Sequence, residues 1–228
     1  MVSRLWFLLC LGMVSMASAS WAQTPEHMGM LRDVVLMGQQ PDGPWVGSVA
    51  GEQYVLQNDR DPGSIHYAYG HGLALPERLN LSVTVQVTGE SPADGGLVTG
   101  AGLLYAFEEA PLSYYALVLS GDGTLRLLQR SRAGLIEVDA ITISPFDPAM
   151  PHRLRLIEHA EGFSAFVDER DGIDVYSPAV GTGTVGIVAV GAGRFAFQDF
   201  SVTEVRGLFV SAQQAGPGSG GHGVESQD

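Results

Sequence analysis

No lysine occurs anywhere in the 228 residues; all 12 basic side chains are arginine. That excludes Schiff-base chemistry and the phosphate-binding lysine of a Walker loop. Cysteine is almost as scarce, with a single Cys10 inside an apolar run near the N-terminus. The body of the chain therefore has neither a disulfide framework nor thiolate metal ligands. Positive charge is also short: 25 acidic residues against 12 basic ones give a formal net charge of −13. Nucleic acid and anionic membrane surfaces need a cationic footprint, so both are poor partners, and no nucleic acid is expected. No apolar run is long enough to span a bilayer, since the clearest one ends at Val14 after starting at Leu5, about half of the ~20 residues required.

That short run has a meaning of its own. MVSRLWFLLCLGMVSMASASWAQ carries one arginine, an apolar centre and small residues at Ala17, Ser18, Ala19 and Ala22, the pattern of a secretory signal peptide over residues 1–22. Cys10 lies within the apolar run rather than at the cleavage point, which argues against a lipoprotein. An exported protein, periplasmic or extracellular, is expected, and its mature form loses the only thiol along with Arg4. About 200 residues suffice to bury a core without disulfides.

Residues 23–43 form a lead-in whose segment PEHMGMLRDVVLM admits either a helical turn or an edge strand. From Trp45 the pattern is one of short β-strands: PWVGSV, EQYVLQN, SIHYAYG, LNLSVTVQV, GAGLLYAF, SYYALVLS, TLRLLQR, GLIEVDAITI, HRLRLIEH, FSAFVDE, IDVYS, TVGIVAV and RFAFQDFSVTEV. Glu108-Glu109-Ala110-Pro111, Gly121-Asp122-Gly123 and Ser91 to Gly96 supply the turns between several of them. Leu79, Leu81, Val83, Val85 and Val87 alternate with Asn80, Ser82, Thr84 and Gln86, which predicts one buried face and one wet, polar, uncharged face. About thirteen strands with almost no helical period predict an all-β fold, a two-sheet antiparallel β-sandwich over residues 44–208. Residues 209–228, rich in Gly, Ser and Gln, read as a disordered tail.

The order GAGLLYAF, SYYALVLSGDGTLRLL, HRLRLIEHAEGFSAFVDE and GTVGIVAVGAGRFAFQDFSV resembles the concanavalin A-like lectin/glucanase superfamily. It is nearest to the bacterial exported jelly rolls related to laminin-G-like domains and to 3-keto-disaccharide hydrolases. The resemblance runs over residues 45 to 205. It implies a concanavalin A-like jelly roll and a range of roles that includes sugar binding, glycoside hydrolysis and adhesion, because fold does not fix function. The family's compact Asp-Gly turn is expected to be longer and more charged here, over Phe166 to Gly172.

Several constellations suggest chemistry, and each has a plainer reading beside it. Related glucanases place three carboxylates on one strand face as Glu-x-Asp-x-Glu, two of them about 5 to 5.5 Å apart in a retaining mechanism. Glu137-Val138-Asp139 starts that pattern, but Ile141 stands at the third position, so a solvated acidic pair is the competing reading. Gly181-Thr-Gly-Thr-Val-Gly186 matches a dinucleotide fingerprint as a string, yet it leads into a strand rather than a helix and reads as a turn with a close-packed strand. His66, His71, His152 and His159 flank strand ends without an HExxH motif, which argues against a transition-metal site. No Gly-x-Ser-x-Gly elbow supports a serine hydrolase. Asp168, Asp171 and Asp174 are the expected ligands if a calcium ion is held, because oxygen-rich loops suit calcium; solvated turn acids are the alternative, and no other cofactor is expected.

Sugar binding needs aromatic platforms among polar neighbours. After residue 22 the only tryptophan is Trp45, which leaves the tyrosines. Neighbouring Tyr114 and Tyr115 point to opposite faces of a strand. Leu125 and Leu127 facing inward would leave Arg126 and Arg130 facing outward. Tyr105, Tyr114, Arg126 and Arg130 are therefore the expected ligand-binding residues, set against a reading in which the arginines pair with surface acids. The expected function is non-catalytic binding of a glycan or other extracellular ligand. The alternatives are a glycoside hydrolase whose acid and base come from Asp168, Asp171, Glu137 or Asp139, and a module that binds an envelope protein.

Overall fold

The computed structural model describes residues 43–70, 73–89, 98–176 and 183–205. The expected signal peptide, the lead-in up to residue 42, the turn at 91–96 and the tail at 209–228 lie outside the described residues. Thirteen strands carry the fold. They are β1 (Trp45–Ala50), β2 (Gln53–Asn58), β3 (Ile65–Tyr69), β4 (Leu79–Thr88), β5 (Gly100–Glu109), β6 (Leu112–Ser120), β7 (Thr124–Ser131), β8 (Gly134–Thr142), β9 (His152–His159), β10 (Gly162–Val167), β11 (Arg170–Tyr176), β12 (Thr184–Val190) and β13 (Gly193–Glu204). They form a seven-stranded sheet in the order β1-β2-β13-β4-β9-β10-β11 and a six-stranded sheet in the order β3-β12-β5-β6-β7-β8. The all-β, two-sheet antiparallel jelly roll expected from the sequence is the fold. No helix of the described residues is long and apolar enough to cross a membrane.

The two sheets face each other over one core because their inward residues alternate in register. Leu79, Leu81, Val83, Val85 and Val87 of β4 meet Leu154 and Leu156 of β9 and Phe195, Phe197 and Phe200 of β13 on one side, and Leu103, Leu117, Leu119, Leu125, Leu127 and Ile187 on the other. Trp45 joins this core, packed on His66 and Phe195 with ring centroids 5.7 and 5.8 Å away. It is therefore not an exposed platform.

Three bulges change which face a residue occupies, each by adding one residue opposite a partner. In β5 the register shifts between Tyr105 and Glu108, with Ala106 at φ 52°; Tyr105 stays inward and Phe107 is turned outward. In β13 it shifts between Gln198 and Ser201, with Asp199 at φ 52°, so Phe197 and Phe200, three apart, both point into the core. In β8 the consecutive residues Leu127 and Leu128 face Asp139 and Glu137. Since Leu127 is inward and Leu128 outward, Glu137 and Asp139 fall on opposite faces. The shared face that alternation alone predicts for these carboxylates is thereby removed.

Turn chemistry behaves as the sequence suggests at Gly121–Gly123. Asp122 Oδ1 accepts the Thr124 amide at 2.9 Å, and Gly123 sits at φ +81° where a Cβ would lie 2.7 Å from the Phe146 ring. The β10–β11 connection corrects the expectation of a longer loop. It is a two-residue turn, Asp168–Glu169, with φ 50° and 59°, the type I′ geometry whose twist matches that of the flanking strands. Arg170, Asp171 and Gly172 already belong to β11. Gly186 is the close-packed strand position expected of it: a Cβ there would fall 2.1 Å from the Ala68 carbonyl oxygen.

Candidate ligand-binding surface

The four expected ligand-binding residues do not form one surface. Tyr105 is 2% exposed and faces the inter-sheet core. Its hydroxyl donates to Glu158 Oε1, and Glu158 Oε2 accepts the Leu79 amide at 2.7 Å. Burial, reinforced by the Glu158 carboxylate, pushes the Tyr105 hydroxyl well above the ordinary phenol range. Leu75, Glu77, Tyr105, Glu158 and Gly183 line a cavity of about 30 Å³, room for a water molecule or two and not for a sugar ring.

Tyr114, Arg126 and Arg130 do share the outer face of the six-stranded sheet, as the parity of β6 and β7 predicts. They are not a free strip. Tyr114 is 3% exposed and packs on Tyr67 and Phe107; burial and a hydrogen bond with Tyr67 raise its hydroxyl above the phenol range, against a smaller opposing effect of Arg130. Arg126 Nη1 donates to Glu137 Oε2 at 2.8 Å, and Asp122 stands 3.8 Å from Nη2. The plainer reading, arginine paired with surface acids, holds for Arg126.

The aspartates expected to hold calcium are not gathered either. Asp168 Oδ2 bonds His152 Nδ1 at 2.8 Å and Oδ1 accepts the Arg153 amide at 2.8 Å. Burial alone would raise the Asp168 carboxyl, but the bonds from His152 and Arg153, with the charges of His152 and Arg170, outweigh it and hold the group below its usual value. Asp174 accepts the Ser164 hydroxyl at 2.5 Å, and Ser164 is three strand residues, roughly 10 Å, from the β10–β11 turn. The Asp171 side chain lies outside what is described. Among the described residues no group of three or more His, Cys, Asp or Glu could hold a metal ion. For hydrolase chemistry, Asp168 is committed to His152, Glu137 to Arg126, and Asp139 Oδ1 to the Ala140 amide at 2.8 Å.

The polar array lies on the other sheet. The outer face of the seven-stranded sheet carries side-chain bonds from strand to strand. Gln53 Nε2 donates to Gln198 Oε1 at 2.9 Å, and Asn80 Nδ2 to Thr203 Oγ1 at 3.1 Å. Ser82 and Ser201 hydroxyls lie 2.9 Å apart, and Thr84 Oγ1 donates to Asp199 Oδ2 at 3.3 Å. Arg155 bridges Asn80 Oδ1 at 2.8 Å and Glu169 at 2.5 Å, while Arg153 Nη2 reaches Ser82 Oγ at 3.3 Å. The alternation in β4 predicts this face; Ser82 is the exception to its being wet, since the Ser201 hydroxyl and the Arg153 guanidinium cover it. At one end of the face, where His159, Gly162 and Tyr176 are paired across β9, β10 and β11, Tyr176 is 72% exposed with the His159 ring 6.1 Å away. Sequence reasoning missed Tyr176. Its parity with Asp174, opposite to buried Ile173, was the available signal.

This strand order and the paired faces define a two-sheet antiparallel jelly-roll sandwich. Solved structures share the fold. A carbohydrate-binding module, CBM66, from Bacillus subtilis superposes with TM-score 0.54 at 16% identity, over 72% of this chain and 92% of that one. A functionally unknown protein from Saccharomyces cerevisiae gives 0.53 at 16% identity, over 76% and 99%. A Bacillus subtilis protein of unknown function with a galectin-like fold gives 0.51 at 14% identity, over 69% and 86%. No family model and no curated protein sequence matches the chain.

Proposed function

We propose that this protein is an exported, non-catalytic glycan-binding module that holds its ligand on the outer face of the seven-stranded sheet. The observation that carries the reading is the exposed Tyr176 ring beside His159, at the end of a face otherwise made of amide, hydroxyl and guanidinium groups fixed by mutual hydrogen bonds. A sugar has an apolar face of C–H groups and a rim of hydroxyls, so a ring with oriented polar neighbours is the surface that suits it. Groups already held in place lose less entropy on binding than free side chains do. The similarity of the fold to a carbohydrate-binding module supports the same reading. A glycan array probed with the chain from residue 23 onward tests it. Retention of one class of glycan, kept in an Arg126→Ala variant altered on the opposite sheet, is expected; an empty array, or binding lost in that variant, contradicts the proposal.

A further inference from the structure

The strands at the ends of the two sheets are β1 and β11 in one and β3 and β8 in the other, and they differ in how open their edges are. On one side of the sandwich β8 and β11 lie against each other. β8 carries Glu137 and Asp139 and is bulged at Val138; β11 carries Arg170, Asp171 and Asp174. Charges and bulges are the features that keep a sheet edge from pairing further. On the other side β3 has no exposed residue. β1 is unlike all three. Its sequence, WVGSVA, holds neither charge nor proline, and it pairs with β2 residue for residue without a bulge. Trp45 is buried on His66 and Phe195, but Val46 is 67% and Val49 60% exposed, and Ser48 and Ala50 are exposed as well. No described strand pairs with its outer edge, which leaves a row of backbone N–H and C=O groups open to a further strand.

We propose that β1 docks a second copy of this chain, strand against strand and antiparallel, about a two-fold axis. Charge selects this occupant at this edge. Each copy carries a net charge of −13, and like charges opposite one another on paired strands are destabilising. A copy added at β8 or β11 would set carboxylates against carboxylates, whereas β1 brings no charged side chain to its own copy. The strand geometry then fixes the symmetry. Backbone groups point alternately to the two edges of a strand and side chains alternately to its two faces. Two copies of one strand therefore bond only where residues of the same parity stand opposite, which runs the axis through Gly47 or Ser48 at the middle of the strand and normal to the sheet. Val46 and Val49 of each copy gain cross-strand neighbours in this arrangement. The two seven-stranded sheets continue into one, with both six-stranded sheets on the same side and both outer polar faces looking the same way. Since β11 lies at the far end of each sheet, the two Tyr176 rings stand up to about 60 Å apart, and a polymeric glycan meets two surfaces at once. That last consequence rests on the glycan reading above; the pairing itself does not.

Sedimentation of the chain from residue 23 onward tests the proposal. Its mass should rise from one chain to two with concentration. Val46→Asp with Ser48→Asp should raise the dissociation constant tenfold or more, while Ile136→Asp with Val138→Asp, at the β8 edge, should leave it unchanged. A single chain at every concentration, or a dimer lost in the β8 variant and kept in the β1 variant, overturns the pairing. A spin label gives a reading that does not depend on the charged variants folding, because no other cysteine follows residue 22. Nitroxides at Ser48→Cys should lie within about 10 Å of each other in the dimer and broaden one another's spectra, and dilution with unlabelled chain should remove the broadening. Labels at Val138→Cys should show none. A dimer with unbroadened spectra at Ser48→Cys also overturns the assignment. Binding of a glycan with one and the same affinity by single chains and by pairs leaves the dimer standing and removes only the two-surface consequence.

Discussion

At Asp168 one carboxylate fixes the start of β9 and the turn after β10, through His152 on one oxygen and the Arg153 amide on the other. His152 extends the link, since its Nε2 lies 2.9 Å from the Asp147 carbonyl oxygen and its ring stacks on Phe146 at 4.5 Å. Because the folded protein holds the Asp168 carboxyl below its unfolded value of 3.8, its contribution to stability is complete above that value and is lost as the pH falls through the lower folded value. Asp168→Asn should therefore lower the unfolding midpoint at pH 7, and the gap from wild type should close progressively below about pH 3.8; a gap that stays constant with pH would contradict the assignment. Tyr105→Phe makes a different prediction. It leaves Glu158 Oε1 buried without its donor, at a cost of about 1–3 kcal/mol, measurable by urea unfolding, with little change in the slope. At this scale the sequence was legible only in part. Parity placed Arg126 and Arg130 outward correctly. It could not foresee that Tyr114 would be buried among Tyr67 and Phe107, because Phe107 reaches that face only through the bulge at Ala106.

The strands themselves were legible nearly end to end, because period-two alternation and turn residues are local signals. The bulges were not. Ala106 and Asp199 adopt positive φ without being glycine, and a bulge without glycine leaves no mark in the sequence, yet each one reverses the facing of every residue beyond it. This is also why Glu137 and Asp139 read as a pair on one face and are not. The Asp168–Glu169 turn gives a test of this scale. Glu169 sits at φ 59°, a conformation that costs a residue with a side chain about 1–2 kcal/mol. Its ion pair with Arg155 is half in solvent, where such pairs contribute about 0–1 kcal/mol. Relief of strain should outweigh loss of the pair, so Glu169→Gly is expected to raise stability by up to about 1 kcal/mol, read as a higher urea midpoint. A clear loss of stability would show that the Arg155 pair dominates the turn.

For the whole molecule, composition and strand order led to the sandwich, since some thirteen short strands with almost no helical period between them leave few other architectures for a chain of this length. Which sheet has the open polar face that we propose for the ligand was not legible. The tyrosines and arginines that stand close together in the sequence at Tyr114, Arg126 and Arg130 belong to the outer face of the six-stranded sheet, where Tyr114 is part of an apolar cluster. The opposite face is assembled from residues far apart in the chain, such as Gln53 with Gln198 and Asn80 with Thr203, which only the strand order β2-β13-β4 brings together.

Calorimetric titration of an array-positive glycan into the wild-type chain and into Tyr176→Ala tests the central claim most directly. Tyr176 is exposed at the end of β11, so its removal should leave the unfolding midpoint nearly unchanged, while affinity falls by tenfold or more, a loss of about 1.4 kcal/mol or greater. Equal affinity in the two proteins would contradict the placement of the ligand on the seven-stranded sheet.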